Sequence, residues 1–144
     1  MFNFFKKNDI KIDDHKLLFD TELIGCALAY EVAVSDGEID DNELLKIKSE
    51  ILKKSQQLNL NPDDVLKTIE HQNAESISFN DFINQINDNF SQDQKIQMIE
   101  FLWQTAYADN ILDVDEERLI RRIADMIRIK DMKVLKLKDQ AKNK

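Results

Sequence analysis

The chain has few of the residues that build turns, and it cannot form an internal disulfide. Its 144 residues include two glycines, one proline and one cysteine. A β-sheet protein of this length needs many tight turns, which draw on glycine and proline, so the composition favours an all-α fold. The single cysteine, Cys26, is typical of a reducing compartment. Because it lies between Gly25 and Ala27, we expect a buried and unreactive thiol.

Long apolar runs are also missing. No stretch approaches the ~18 apolar residues of a membrane span, and no signal peptide with a small-residue cleavage site is visible, so we expect a cytoplasmic protein. The segment Met1–Lys7 combines three phenylalanines with two lysines. It is too short for a firm membrane anchor, so any membrane contact would be peripheral. Packing of Phe4 or Phe5 against the rest of the protein is the favoured use.

The length and the 42% hydrophobic content predict a single domain over residues 1–144 with its own core. We place the core at 14–130, between an N-terminal segment, 1–12, and a basic C-terminal segment, 131–144.

The net charge of −8 is unevenly distributed along the chain. From Arg118 to Lys144 there are ten basic and three acidic residues, a net of +7, which leaves −15 on the preceding residues. An acidic body disfavours nucleic-acid binding, since neutralised phosphates supply most of that affinity. The basic segment can contact an anionic membrane surface, an acidic protein partner or the acidic loops of a second copy, or it can be a solvated helix end. We expect a protein partner, and the sequence is also compatible with an oligomer of this chain.

The spacing of apolar residues predicts helices nearly throughout the chain. Capping residues mark the helix starts, and Asn61-Pro62 is a particularly clear one. In the second helix we expect Leu44, Ile47 and Ile51 on the buried face. The predicted helices cover 14–35, 40–58, 61–72, a segment beginning at Ser78, 91–106 and 113–129, with a further basic helix from Lys130. The fold class is therefore a bundle of six to seven helices.

One acidic segment occurs twice. Asp36–Glu43 recurs 73 residues later as Asp109–Glu116, and the flanking positions match as well: Tyr30 with Trp103, Ala33 with Ala106, and Ile47 with Ile120. Each copy joins two predicted helices through a residue that tolerates positive φ, Gly37 or Asn110. The repeat predicts two pseudo-symmetric helical hairpins, 14–58 and 91–129. At their equivalent positions, the two aromatic residues are expected in the core rather than around a ligand.

Each acidic turn matches the second half of an EF-hand calcium loop, with an aliphatic residue at the eighth position and a glutamate at the twelfth. The first half fails, because positions one and three carry no carboxylate in either copy. A hard cation seeks at least six oxygens, so one turn would bind weakly unless the two turns meet and pool their ligands. The predicted ligands of a weak Ca²⁺ or Mg²⁺ site are Asp36, Asp40, Glu43, Asp109, Asp113 and Glu116.

Helix capping explains most of the same residues without a cation. Asp40 and Asp113 stand at N-cap positions, and a glutamate follows three residues later in each copy, as in a capping box. Asp36 and Asp109 precede the caps by four positions and are common turn formers. The two interpretations are compatible, and the sequence leaves both open.

The phrase Ala33-x-x-Asp36-Gly37-x-Ile39-Asp40-x-x-Glu43 and its second copy resemble the TerB-like family, over roughly residues 14–130. This family includes the tellurite-resistance protein TerB and a domain of membrane-anchored J-domain co-chaperones. The resemblance implies an all-helical bacterial domain with paired acidic turns, suspected of binding divalent cations and linked to stress responses. Asn110 departs from the glycine of the first copy. The family name describes a phenotype and implies no reaction.

An enzyme is not predicted. The two histidines, His15 and His71, lie far apart in sequence and neither stands beside the carboxylates, which argues against a metal-dependent hydrolase. Neither is in a His-Pro-Asp sequence, so no J-domain activity is expected. No glycine-rich phosphate loop or nucleophile motif is present. We therefore expect a module that works by binding, with a protein-interaction scaffold that uses an acidic docking face as the alternative to cation capture.

Overall fold

A computed structural model describes residues 21–35, 37–74 and 79–142. Every regular element within these ranges is an α-helix, which confirms the predicted fold class. Predictions that concern residues 1–20, Asp36 and Ser78 lie outside the described residues. The helices are α1 (Thr21–Ala33), α2 (Asp41–Leu58), α3 (Pro62–Ala74), α4 (Phe79–Asn89), α5 (Gln92–Ala106), α6 (Val114–Met126) and α7 (Asp131–Lys142).

The helix starts follow the capping residues in the sequence. The clearest case is α5, where Gln94 N donates to Ser91 Oγ at 3.1 Å and Ser91 N donates to Gln94 Oε1 at 2.8 Å. This reciprocal pair is the predicted capping box, which satisfies two backbone N–H groups that the helix leaves unpaired. Before α3, Asn61 Oδ1 accepts from the N–H groups two and three residues later. α3 continues to Ala74, two residues beyond its predicted end.

The two hairpins make matching contacts with each other. The first is α1 with α2, and the second is α5 with α6. α1 packs against α5 at the centre, and each also packs against the second helix of the other hairpin, so that α1 contacts α6 and α5 contacts α2. α3 packs on α2 and α1, while α4 packs on α1. The predicted pseudo-symmetric pair of hairpins is therefore present.

The core includes buried residues at equivalent positions of both hairpins, such as Ala33 with Ala106 and Ile47 with Ile120. Trp103 on α5 is fully buried, as predicted, whereas Tyr30 at the matching position of α1 is only half-buried against the core. Val134 and Leu137 on α7 are also buried, so the basic C-terminal segment contributes to the core. Each large apolar side chain buried in this way contributes about 1.5–3 kcal/mol. In the described ranges, no helix combines the length and the apolar character that a membrane span requires.

Candidate functional site: a cleft between two acidic turns

The two acidic turns have the same backbone hydrogen bonds. Gly37 N donates to Val34 O at 2.9 Å, and Asn110 N donates to Tyr107 O at 2.8 Å, at positions 73 residues apart. Both turning residues have positive φ, 102° at Gly37 and 67° at Asn110. The sequence prediction for these two positions is confirmed. Glycine adopts this conformation freely, and asparagine is one of the few other residues that tolerates it.

Gly37→Ala is expected to destabilise the protein by about 1–2 kcal/mol. A Cβ at this position would meet no atom within 4 Å, so the cost would be backbone strain at φ 102° alone. Asn110→Gly, which needs no strained backbone, should stay within about 1 kcal/mol of wild type. Urea unfolding of both variants measures the difference. A Gly37→Ala variant as stable as wild type would contradict the assigned turn.

Each turn ends in an aspartate that caps the following helix. Asp40 Oδ1 accepts from the backbone N–H groups two and three residues later, at 2.8 and 3.4 Å. Asp113 Oδ1 accepts from the equivalent groups at 2.8 and 3.3 Å. Asp109 Oδ1 accepts from Ile111 N at 3.0 Å inside the second turn. The predicted N-caps are therefore confirmed, and each cap uses only one carboxylate oxygen.

A pair of buried glutamates joins the two hairpins. Glu43 on α2 is 4% exposed and Glu116 on α6 is 3% exposed, and their side chains are hydrogen-bonded to each other. The sequence prediction placed Leu44 on the buried face of α2, and this was wrong because Leu44 is only half-buried. Glu43 takes the inward position instead, at the four-residue spacing of a helix face that continues through Ile47 and Ile51.

Burial raises the pKa of Glu43 from 4.5 to about 7. Removal from water, which disfavours the charged carboxylate, is the largest cause. The hydrogen bonds from Glu116 and from the backbone of Asp40 act in the opposite direction, and the negative charges of Asp109 and Asp40 raise the pKa further. Two carboxylates cannot hydrogen-bond to each other unless one of them carries a proton. A proton or another positive charge between the two carboxyl groups therefore stabilises the pair.

The glutamate pair lies in an open cleft between the turns, with a volume of about 450 Å³. Glu43 Oε2 is buried there without a hydrogen-bond partner among the described residues. Within residues 21–35, 37–74 and 79–142, no group of three or more His, Cys, Asp or Glu side chains is arranged to hold a metal ion. The cleft is lined by Glu38, Ile39, Asp40, Glu43, Asp109, Ile111, Leu112, Asp113, Val114 and Glu116.

The structure thus brings together five of the six residues that the sequence indicated. Asp40, Glu43, Asp109, Asp113 and Glu116 all line the cleft, whereas Asp36 lies outside the described residues.

Sequence reasoning did not assign five further residues to the cleft: Glu38, Ile39, Ile111, Leu112 and Val114. Glu38 lines it, and the apolar residues Ile111 and Val114 are 71% and 61% exposed at its edge. The repeat could have indicated Glu38, because it lies within the first acidic turn. The repeat also carried a signal for the exposure of Ile111 and Val114, because their matching positions in the first copy are the charged residues Glu38 and Asp41.

The remaining candidates do not contribute to this site. Cys26 is buried, and burial together with the charge of Glu50 raises the pKa of its thiol to about 12, although Lys54 acts in the opposite direction. The prediction of a buried thiol is confirmed, and so high a pKa leaves almost no thiolate at neutral pH. His71 is exposed on α3 and is not among the lining residues. His15 lies outside the described residues.

The fold and the cleft together define a class of helical module in which two pseudo-symmetric hairpins hold their acidic turns face to face. Comparison with known families identifies this class. The sequence model of the family described as "Tellurite resistance protein TerB" matches residues 22–139. The chain therefore belongs to the TerB family. The comparisons with curated proteins and with solved structures find no match.

Proposed function

We propose that the protein is a non-enzymatic stress-response module of a bacterial cytoplasm that binds a divalent cation weakly between its two acidic turns. The supporting observation is Glu43, a buried residue of the cleft whose Oε2 has no hydrogen-bond partner among the described residues, beside the buried Glu116. A buried acceptor in this state is costly unless a positive group satisfies it. A cation would satisfy it and would also separate two carboxylates that otherwise compete for a proton.

The donor set suits a hard cation bound with incomplete protein coordination. Mg²⁺ is commonly bound through one or two carboxylates and keeps several waters, which the glutamate pair and the open cleft would allow. Ca²⁺ takes six to eight oxygens, so Asp40 and Asp109 would have to turn their carboxylates toward it. Because fewer than three acidic side chains of the described residues are already grouped as ligands, we expect weak affinity for either ion.

A calorimetric titration with CaCl₂ and with MgCl₂ at about pH 8, above the pKa of Glu43, tests this function. We expect one cation per protein in wild type, and no binding in the Glu43→Gln/Glu116→Gln double variant. A cation at ten times its Kd adds about 1.4 kcal/mol to the free energy of unfolding, so the Tm should rise by about 3–6 °C.

The matched control for this titration is Asp41→Asn/Asp115→Asn. These aspartates lie in the first turns of α2 and α6, are exposed and do not line the cleft, so the double variant removes two negative charges without changing the glutamate pair. The control should bind as wild type does. Equal loss of binding in both double variants would show that only net charge matters, and the absence of any heat or Tm change at several millimolar cation would disprove cation capture.

A protein-interaction scaffold is the second candidate function. The exposed Ile111 and Val114 favour it, because apolar side chains at the edge of a charged cleft are typical of a docking surface. In this role the turns would serve as caps, and the cleft would bind a basic partner. The two functions are separable, since exposed apolar residues can be replaced without removing a carboxylate.

A further inference from the structure

The acidic cleft combines negative charge with exposed apolar surface. Its edge carries Ile111 and Val114, 71% and 61% exposed, beside the carboxylates of Asp109 and Asp113. Glu43 also lines the cleft, and its buried Oε2 lacks a hydrogen-bond partner among the described residues. A group that fits this cleft must bring positive charge together with an apolar side chain.

The same molecule carries a surface of this kind at the opposite end of α6. We call it the basic end, and it consists of Arg128, Lys130, Met132 and Lys133, all exposed. Met132 is 87% exposed, the largest value among the exposed large hydrophobic residues that the structure describes. Asp131 lies in the same segment but is paired with Arg121 at 2.9 Å, so the three cations still exceed the acidic charge around Met132. This combination is the complement of two apolar side chains among carboxylates.

The basic end cannot reach the cleft of its own chain. Two ion pairs, Arg121 with Asp131 at 2.9 Å and Lys138 with Glu117 at 2.9 Å, fix α7 antiparallel to α6. The start of α7, with Met132, therefore lies beside the second half of α6, because its first residue, Asp131, pairs with Arg121. Val114 lies at the start of α6, seven residues before Arg121, which is about 10 Å along the helix axis.

We propose that the basic end docks in the acidic cleft of a second copy of this chain, in a head-to-tail contact. Each copy then contributes one cleft and one basic end, so the contact is heterologous and can repeat along a row of molecules. The contact patch is small, and its charges lie near the surface, so the association is weak and sensitive to salt. This contact does not depend on cation binding.

Sedimentation velocity of the full chain in EDTA, over a range of protein concentrations, tests the contact. At about 50 mM salt the weight-average mass should rise above the monomer value of 16.9 kDa as the concentration increases. At about 500 mM salt it should return to the monomer value. Wild-type protein that stays monomeric at about 1 mM and low salt would overturn the proposal and leave the cleft to a basic partner other than this chain.

Complementary variants distinguish this contact from any other mode of self-association. Ile111→Ser/Val114→Ser removes the apolar edge of the cleft, and Met132→Ser/Lys133→Glu impairs the basic end. These residues are exposed, so the fold should be retained. Each variant alone should be monomeric, and an equimolar mixture should form a dimer, because one partner keeps an intact cleft and the other keeps an intact basic end.

The control for this experiment is Leu45→Ser/Leu52→Ser, which removes two exposed leucines of α2 outside the cleft. It should associate as wild type does. A mixture of the two complementary variants that remains monomeric would overturn the head-to-tail contact, as would association of either variant alone.

Discussion

In the absence of cations, ionisation of the Glu43 carboxyl is expected to lower the free energy of unfolding by about 1–3 kcal/mol as the pH rises from about 5 to about 8. The pKa of this carboxyl is about 7 in the folded protein and 4.5 for an ordinary glutamate. The folded state therefore binds more protons than the unfolded state between these two values, so the free energy of unfolding falls as the pH rises. Below pH 4.5 the contribution is fully present, and above pH 7 it is lost.

Glu43→Gln should remove this part of the pH dependence. A glutamine can donate a hydrogen bond to the Glu116 carboxylate without taking up a proton, so the variant should be more stable than wild type at pH 8 and similar to it at pH 5. Urea unfolding in EDTA at both pH values gives the free energy of unfolding of the variant and of wild type. Subtracting the two at each pH cancels the contribution of the other carboxyl groups, which both proteins share. Asp41→Asn is the control and should keep the wild-type slope. A Glu43→Gln variant with the wild-type slope would refute the proposed origin of the pH effect.

Trp103→Ala is expected to destabilise the protein by about 3–5 kcal/mol, the largest effect of any single substitution considered for this chain. The side chain is fully buried on α5, the central helix that packs against α1. Its removal would leave a cavity that the central helices cannot fill without losing other contacts. Urea unfolding at a fixed pH measures the loss.

Two further variants test whether the contribution of Trp103 to stability comes from its ring volume and its burial. Trp103→Phe should cost only about 1–2 kcal/mol, because it keeps an aromatic ring and removes an indole N–H that has no hydrogen-bond partner among the described residues. Tyr30→Ala, at the equivalent position of the first hairpin, should cost less than Trp103→Ala because Tyr30 is already half-exposed. Equal losses for Tyr30→Ala and Trp103→Ala would contradict the asymmetry of the core.

Local features of the fold could be predicted because they depend on residues a few positions apart. The N-caps Asp40 and Asp113 and the capping box of Ser91 are set by side chains that bond backbone groups two or three residues later. The positive φ at Gly37 and Asn110 follows from the same local sequence. The internal repeat then extended these local predictions to the pairing of two hairpins.

The glutamate pair was harder to predict because its two members are 73 residues apart, on helices of different hairpins, and both are buried in the folded protein. Glu43 and Glu116 each stand three residues after an N-cap aspartate, as in a capping box. Capping boxes are common at exposed helix starts, so this interpretation did not predict that the two side chains would be buried. A signal was present, however, in the four-residue spacing from Glu43 to Ile47 and from Glu116 to Ile120. Leu44 was placed inward on apolar character alone.

The structural differences between the two hairpins could not be predicted from the repeat, since they come from α3 and α7, which lie outside the repeated segments. Burial raises the pKa of the Tyr30 hydroxyl, and the charge of Glu70 on α3 raises it further. Trp103 is fully buried. α7 packs against the second hairpin, on α5 and α6. Its buried residues Val134 and Leu137 are surrounded in sequence by lysines, which hide the apolar face.

The proposed cation binding depends most on two glutamates of different hairpins that act as one site. The most direct measurement is the carboxyl ¹³C chemical shift of the glutamate side chains during titration with Mg²⁺ or Ca²⁺ at about pH 8. We predict that the Glu43 and Glu116 resonances shift together, with one midpoint and one cation per protein, while exposed carboxyls such as that of Glu70 remain unchanged. Separate midpoints for the two glutamates, or shifts confined to exposed carboxyls, would contradict a shared site.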